Sequence, residues 1–291
     1  MKYFLMTVSI LLSASQGIVL KKFGNKTIKN TGDLFFFNGG VSVVWTTIML
    51  AWFLISNGTT ISLTALIFGL VYSIILCSFL YFKVASLAVG SVTITTLIGS
   101  AAFVPATIFG VFYVPENIST FQIIGMGLML VAVIVCINTK TSAQKPTLKW
   151  AIYCTMFFVA GSALGAFFKV FGKSNAFEEV NGMMLSASIF SAVIFFLMGI
   201  VYNKSKKLPM PTIAKPSLLY IVLSGIAGCL YLRMNLSLST VIDSAIFFPV
   251  SNGSVVMLST IAGYFLFKER LTKWQISGIL LGIVAIILSS F

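Results

Sequence analysis

The sequence predicts an all-α membrane protein of ten transmembrane helices, arranged as a five-plus-five inverted repeat. Three observations carry that reading. The 291 residues are 58% hydrophobic and only 9% charged, with a mean hydropathy of +1.06, whereas a soluble domain carries about 25% charged residues. Ten mostly apolar stretches are long enough to cross a hydrocarbon core of about 30 Å. The phrase "FYVPENISTFQIIG" (112–125) returns as "FLFKERLTKWQISG" (265–278), with Phe, Glu, Gln, Ile and Gly in the same order 153 residues further on.

So much apolar surface exceeds what one core can hide, and the chain needs lipid as a solvent. In lipid every backbone polar group must be satisfied internally, which a helix achieves within its own segment. The period-two alternation with frequent turns that marks an outer-membrane barrel is missing. The first half, 1–140, holds spans near 3–20, 34–56, 61–81, 87–111 and 119–138. The second, 149–291, holds spans near 150–172, 181–202, 216–237, 241–266 and 273–290.

Taken in order, the first span follows Lys2 and ends near "SAS", the outline of a cleavable leader. However, "GIVLKKFG" (17–24) recurs as "GAFFKVFG" (165–172) with Gly, Lys, Phe and Gly in register. A leader has no reason to copy an internal helix, so a first transmembrane helix is expected. The second span opens on "FFFNGG" (35–40). The third ends in "LYFK" (80–83), matched by "LYLR" (230–233) at the end of the eighth. The fourth carries "SVTITTLIGS" and the ninth "SAIFFPVSNGS", in equivalent places. There Pro249 and Gly253 loosen the helix and free backbone carbonyls. "GSALG" (161–165) and "GILLG" (278–282) are Gly-x-x-x-Gly patterns. They fit close helix crossings within the fold, with a homodimer seam along Gly278 and Gly282 as a second use.

Sliding the chain by 153 residues also aligns Ser91 with Ser244, Thr107 with Thr260, Gly110 with Gly263, Glu116 with Glu269 and Ala132 with Ala285. A unit with an odd number of crossings forces its copy to enter the membrane from the opposite side. The halves are then related by a pseudo-two-fold axis in the membrane plane, an arrangement characteristic of alternating-access transporters.

Fifteen of the nineteen Lys and Arg fall in loops that follow odd-numbered spans; Lys2, Lys169, Lys173 and Arg233 lie on the other side. The positive-inside rule puts the odd loops in the cytoplasm and both termini outside. These dispersed residues face anionic lipid, and the net charge of +13 requires no nucleic acid. There is no histidine, and the four cysteines sit inside apolar spans without metal or disulfide spacing. No metal, cofactor or catalytic residue is expected, because a membrane enzyme would need a nucleophile–base pair, a metal or buried carboxylates.

Several residues are candidates to line a substrate cavity. Ser13, Gln16, Asn38, Thr93, Thr96, Ser251 and Asn252 bring hydroxyls and amides into spans, and Tyr72, Tyr81 and Tyr231 supply aromatic walls. Helix–helix packing is the competing use of such residues. Lys83 and Arg233 each follow "LY". A cation at mid-bilayer costs about 2.5–3.5 kcal/mol, so each snorkels to the interface or meets an anionic group on a substrate. Glu116 and Glu269 lie in tight turns just before a helix, where capping and the helix dipole favour a structural role.

The paired "E-x-x-(S/T)-x-x-Q-x-x-G" phrases, each running on to "Q-x-x-G-x-x-L", and the five-plus-five layout resemble the drug/metabolite transporter superfamily, in particular its EamA-like branch. The resemblance covers the whole chain. It implies a secondary transporter of the inner or plasma membrane that carries a small organic molecule. Spans 1–4 and 6–9 would line the cavity, with 5 and 10 peripheral. Export of an amino acid or related metabolite is the leading expectation; uptake of a small metabolite or amine, or multidrug efflux, is second, and a channel third. The intramembrane glutamate that small multidrug members carry in helix 1 has no equivalent in "MTVSILLSASQG" (6–17). "FFFNGG" matches only part of a motif of nucleotide-sugar members. The superfamily more usually has cytoplasmic termini, the reverse of what the charge bias gives.

Overall fold

The computed structural model describes residues 1–27, 30–56, 60–89, 95, 98–99, 101–116, 118–136, 147–209, 215–267 and 272–289. Among these it is all helical, with no strand. The α-helices are α1 (Lys2–Thr27), α2 (Thr31–Ile55), α3 (Leu63–Val89), α4 (Phe103–Tyr113), α5 (Thr120–Cys136), α6 (Leu148–Lys173), α7 (Val180–Lys206), α8 (Lys215–Val241), α9 (Ser244–Phe267) and α10 (Lys273–Ser289). A 3₁₀ turn, Asn175–Glu179, leads into α7.

Five helices are long and apolar enough to cross a membrane: Thr31–Ile55, Leu63–Ser86, Leu148–Lys173, Asn175–Ser205 and Leu218–Val241. The apolar helices α4, α5 and α10 are shorter; the 17 residues each of α5 and α10 reach about 25 Å at 1.5 Å per residue. The outward faces are apolar too. Ile67, Val71 and Ile74 on α3, Val193, Leu197 and Val201 on α7, and Ile283 and Ile287 on α10 are all exposed. Apolar exposure on this scale is what a lipid-facing surface requires.

Helix ends follow local chemistry. The Asn30 side chain accepts from the Asp33 amide at 2.8 Å while the Asp33 carboxylate accepts from the Asn30 amide, a capping box that starts α2. Ser119 and Gln122 form a second box at α5, and Thr272 and Gln275 a third at α10. Lys207, at φ 53°, ends α7 with a left-handed residue.

The helices sort into two compact units, and neither coincides with a sequence half. One comprises 1–14, 78–172 and 235–291; the other comprises 15–77 and 173–234. In the first, α5 packs along α10, and α9 packs on α4, α5 and α10. Gly125 of α5 lies against Ser289 and Ala285 of α10, while Gly282 of α10 lies against Met257 of α9 and Ala132 of α5. Gly282 is therefore packed within the chain, and both Gly278 and Gly282 are buried.

In the second unit α2 packs along α7. A Cβ on Gly39 would fall 2.9 Å from the Phe196 ring, and one on Gly199 would fall 2.8 Å from the Phe36 ring. Each helix thus offers a Phe three residues before a Gly, and each Phe fills the other helix's Gly notch. Farther along, Thr46 donates to Ser188 at 3.0 Å, so the two helices run antiparallel. The α5–α10 pair is antiparallel as well, since Gly125 meets Ser289 and Ala132 meets Gly282. In both pairs, a helix meets the one five places later in the chain order.

Candidate functional site

Polar side chains buried in these units fall into two kinds, those whose bonds are complete and those whose bonds are not. The complete kind is a corner in the first unit. Glu116 follows α4 and Lys169 lies near the end of α6, with both side chains 5% exposed. The Lys169 Nζ donates to Glu116 Oε1 at 3.0 Å and to the Ile242 carbonyl at 3.3 Å. Ser244 donates its hydroxyl to Oε1 at 2.9 Å and its backbone N–H to Oε2 at 2.7 Å. Gly110 leaves the space that the Ser244 side chain occupies.

In this corner Glu116 serves a helix other than the one it precedes. The box that starts α5 is made by Ser119 and Gln122, and Glu116 instead caps α9, where an anion satisfies an orphan N–H and meets the positive end of the helix dipole. Its counter-ion, Lys169, did not stand out among the basic residues, although it matches Lys21 in the recurring octapeptide. Every polar member of the corner has a sequence counterpart, in Lys21, Ser91 and Glu269, whose side chains lie outside the described residues.

A set of the incomplete kind lies in the second unit, around the middle of its spans. Trp45 of α2 stands edge-on to Tyr72 of α3 with ring centroids 6.2 Å apart. Tyr231 of α8 and Cys77 of α3 are electrostatic neighbours of Tyr72. The Ser191 hydroxyl on α7 adjoins the Cys77 thiol without hydrogen-bond geometry. On α8, the Ser224 carbonyl accepts from Gln16 Nε2 at 3.4 Å, and Gly228 makes room for the same amide. Three donors in this set, Trp45 Nε1, Ser191 Oγ and Ser224 Oγ, are buried with no hydrogen-bond partner. Buried polar groups are almost always paired, and leaving one unpaired costs about 1–3 kcal/mol. Trp45 Nε1 stands beside Tyr72 and Ser191 Oγ beside Cys77, while Ser224 Oγ lies on the stretch of α8 that meets Gln16; each is a donor left for a ligand's acceptor to satisfy.

Gln16, Tyr72 and Tyr231, expected as cavity residues, all belong to this set. Asn38 lies in the same unit but donates back to the Leu34 carbonyl at 3.0 Å. Arg233 is committed within that unit too: its Nε donates to Asn181 Oδ1 at 3.3 Å and its guanidinium stands 6.0 Å from the Trp52 ring. Ser13, Tyr81, Lys83, Ser251 and Asn252 belong to the other unit. There Ser251 is buried with an unpartnered hydroxyl, and the exposed Asn252 donates to the Phe248 carbonyl at 2.9 Å. Thr93, Thr96 and Glu269 lie outside the described residues. Thr95, between the first two, is buried and accepts from Trp150 Nε1 at 3.1 Å.

Sequence reasoning missed Trp45, Ser191 and Ser224, because a serine or tryptophan in an apolar span reads as packing. Among the described residues no group of His, Cys, Asp and Glu could hold a metal ion. No family model matches the chain, and no curated protein matches it. Among solved structures 29 chains match. One, described as "Crystal structure of protein", aligns with a TM-score of 0.77 at 12% identity, over 99% of this chain and 96% of its own. At that identity the likeness concerns the fold alone, along nearly the whole length of both chains.

Proposed function

We propose that the chain is a secondary carrier of a small organic metabolite in the cell's inner membrane, alternating access between its two faces, and not an enzyme. The observation that carries this reading is the antiparallel pairing of helices five places apart in the chain order, with α2 on α7 through reciprocal Phe and Gly contacts and α5 on α10. An inverted repeat places counterparts this way around a two-fold axis in the membrane plane, and such repeats are characteristic of carriers with a mid-membrane site. The unpartnered donors near the middle of α2, α7 and α8 support a site for a ligand rich in hydrogen-bond acceptors. Amino acids and related metabolites meet that need, and their export is the leading reading. The likeness of the Glu–Gln–Gly phrases supports placement among EamA-like transporters, and the bias of basic residues supports termini outside the cytoplasm.

Reconstitution into proteoliposomes tests it. Radiolabelled amino acids and polar metabolites should show saturable uptake and counterflow, while linear, unsaturable conductance would make the protein a pore. Ser191→Ala and Ser224→Ala sharpen the test. Removing an unpaired buried hydroxyl should leave the unfolding temperature unchanged or raise it. If ligand supplies the missing bond, the same variants should lose about 3–10-fold in flux, the equivalent of one hydrogen bond. Normal flux in both would remove these serines from the site.

A further inference from the structure

Among the described residues, Lys83 is a basic side chain well inside a membrane-length helix whose ammonium is left without a hydrogen-bond or ion-pair partner. Its carbonyl accepts from Ser86 Oγ at 2.9 Å. It is half-buried and lies before the last turn of α3, beyond the reach of the helix's negative end. Lys169 and Arg233 show the contrast, each being partnered.

The surroundings of Lys83 are specific. The last third of α3 lies antiparallel on the first half of α6, with Phe79 against Phe157 at 4.9 Å and Phe82 against Tyr153 at 6.3 Å. One turn before Tyr153, toward the helix end, the exposed Lys149 holds its ammonium 5.9 Å from the Tyr153 ring. Two lysines therefore stand at the same end of this helix pair, one at the rim and one about a turn deeper. Among the described residues Glu116 is bound to Lys169, and no carboxylate forms an ion pair with Lys83.

We propose that Lys83 and Lys149 form a binding site for an anionic oxygen group, a phosphate or carboxylate, with Lys149 at the mouth and Lys83 making the inner contact. A solute or a lipid headgroup presents that chemistry equally well. The readout is binding, so the site stands or falls separately from the carrier reading.

The test is thermal unfolding of the purified full-length protein in a neutral detergent. The probes are inorganic phosphate and, separately, phosphatidylglycerol in mixed micelles, each against chloride at equal ionic strength. One of the two should raise the unfolding temperature of the wild type, since a ligand that binds only the folded state stabilises it. A response to phosphate assigns a solute, and a response to phosphatidylglycerol alone assigns a lipid. Lys83→Gln should weaken the responding probe's apparent affinity about tenfold or more, Lys83→Arg should retain it, and Lys149→Gln should weaken it about threefold. If Lys83→Gln does not fold, Lys149→Gln and Lys83→Arg decide. No response in the wild type to either probe, or an unchanged response in Lys83→Gln or Lys149→Gln, overturns the proposal.

Discussion

Replacing Lys169 with methionine is expected to lower the stability of the folded protein by about 3–5 kcal/mol, because it strands the Glu116 carboxylate in a buried site. Glu116 would keep the Ser244 hydroxyl and amide as donors but lose its counter-ion. The ammonium now makes two bonds, at 3.0 and 3.3 Å, and a thioether replaces neither. Lys173, one turn further along α6 and exposed, is the matched control; Lys173→Met should stay within about 0.5 kcal/mol. Combining Lys169→Met with Glu116→Gln should recover a large part of the loss, with a coupling above about 1 kcal/mol, since a neutral pair leaves no uncompensated charge. Denaturant titration in mixed micelles measures the wild type, the single variants Lys169→Met, Lys173→Met and Glu116→Gln, and the double variant. Equal midpoints for Lys169→Met and Lys173→Met would show that the corner contributes nothing to folding.

The same corner marks where sequence reading stops. The helices were legible because lipid leaves a backbone few choices: spans read at 150–172 and 273–290 correspond to Leu148–Lys173 and Lys273–Ser289. The capping boxes of α5 and α10 were within reach because their partners are three residues apart. The partners of Glu116 are 53 and 128 residues away. An acidic residue ahead of a helix looks the same in sequence whether it caps that helix or another. The recurring phrases have a similar limit. They align residues 153 apart but do not say which ones pack together, so they did not reveal that each compact unit would draw helices from both sequence halves. The mid-span donors were hidden for a third reason. Trp45, Ser191 and Ser224 are ordinary residues for an apolar helix, and only their missing partners distinguish them.

Gly69 is where a single added side chain should do the most damage. At its crossing with α7, a Cβ would fall 2.9 Å from the Met183 carbonyl oxygen and 3.0 Å from the Ala187 nitrogen, and closer still to the Ser186 hydroxyl. Two of those three atoms are backbone, which a rotamer change cannot move aside. The approach is fixed further by Ser73, whose one hydroxyl proton is shared between the Ala187 carbonyl at 2.8 Å and the Gly69 carbonyl at 2.7 Å. Small residues let membrane helices approach this closely, and overpacking such a contact costs about 1–3 kcal/mol per intrusion. Gly69→Ala should fall in that range, and Gly69→Leu, which adds more atoms at the same point, should prevent recovery of monodisperse protein. Gly127 on α5 is the control, because a Cβ there meets nothing within 4 Å. Gly127→Ala should be neutral or gain up to about 1 kcal/mol of helix propensity. Adding Ser186→Ala to Gly69→Ala separates side chain from backbone. It removes the nearest atom but not the two backbone contacts, so the rescue should be partial. Complete rescue would mean that the two helix backbones can move apart freely, and that Gly69 only accommodates a hydroxyl.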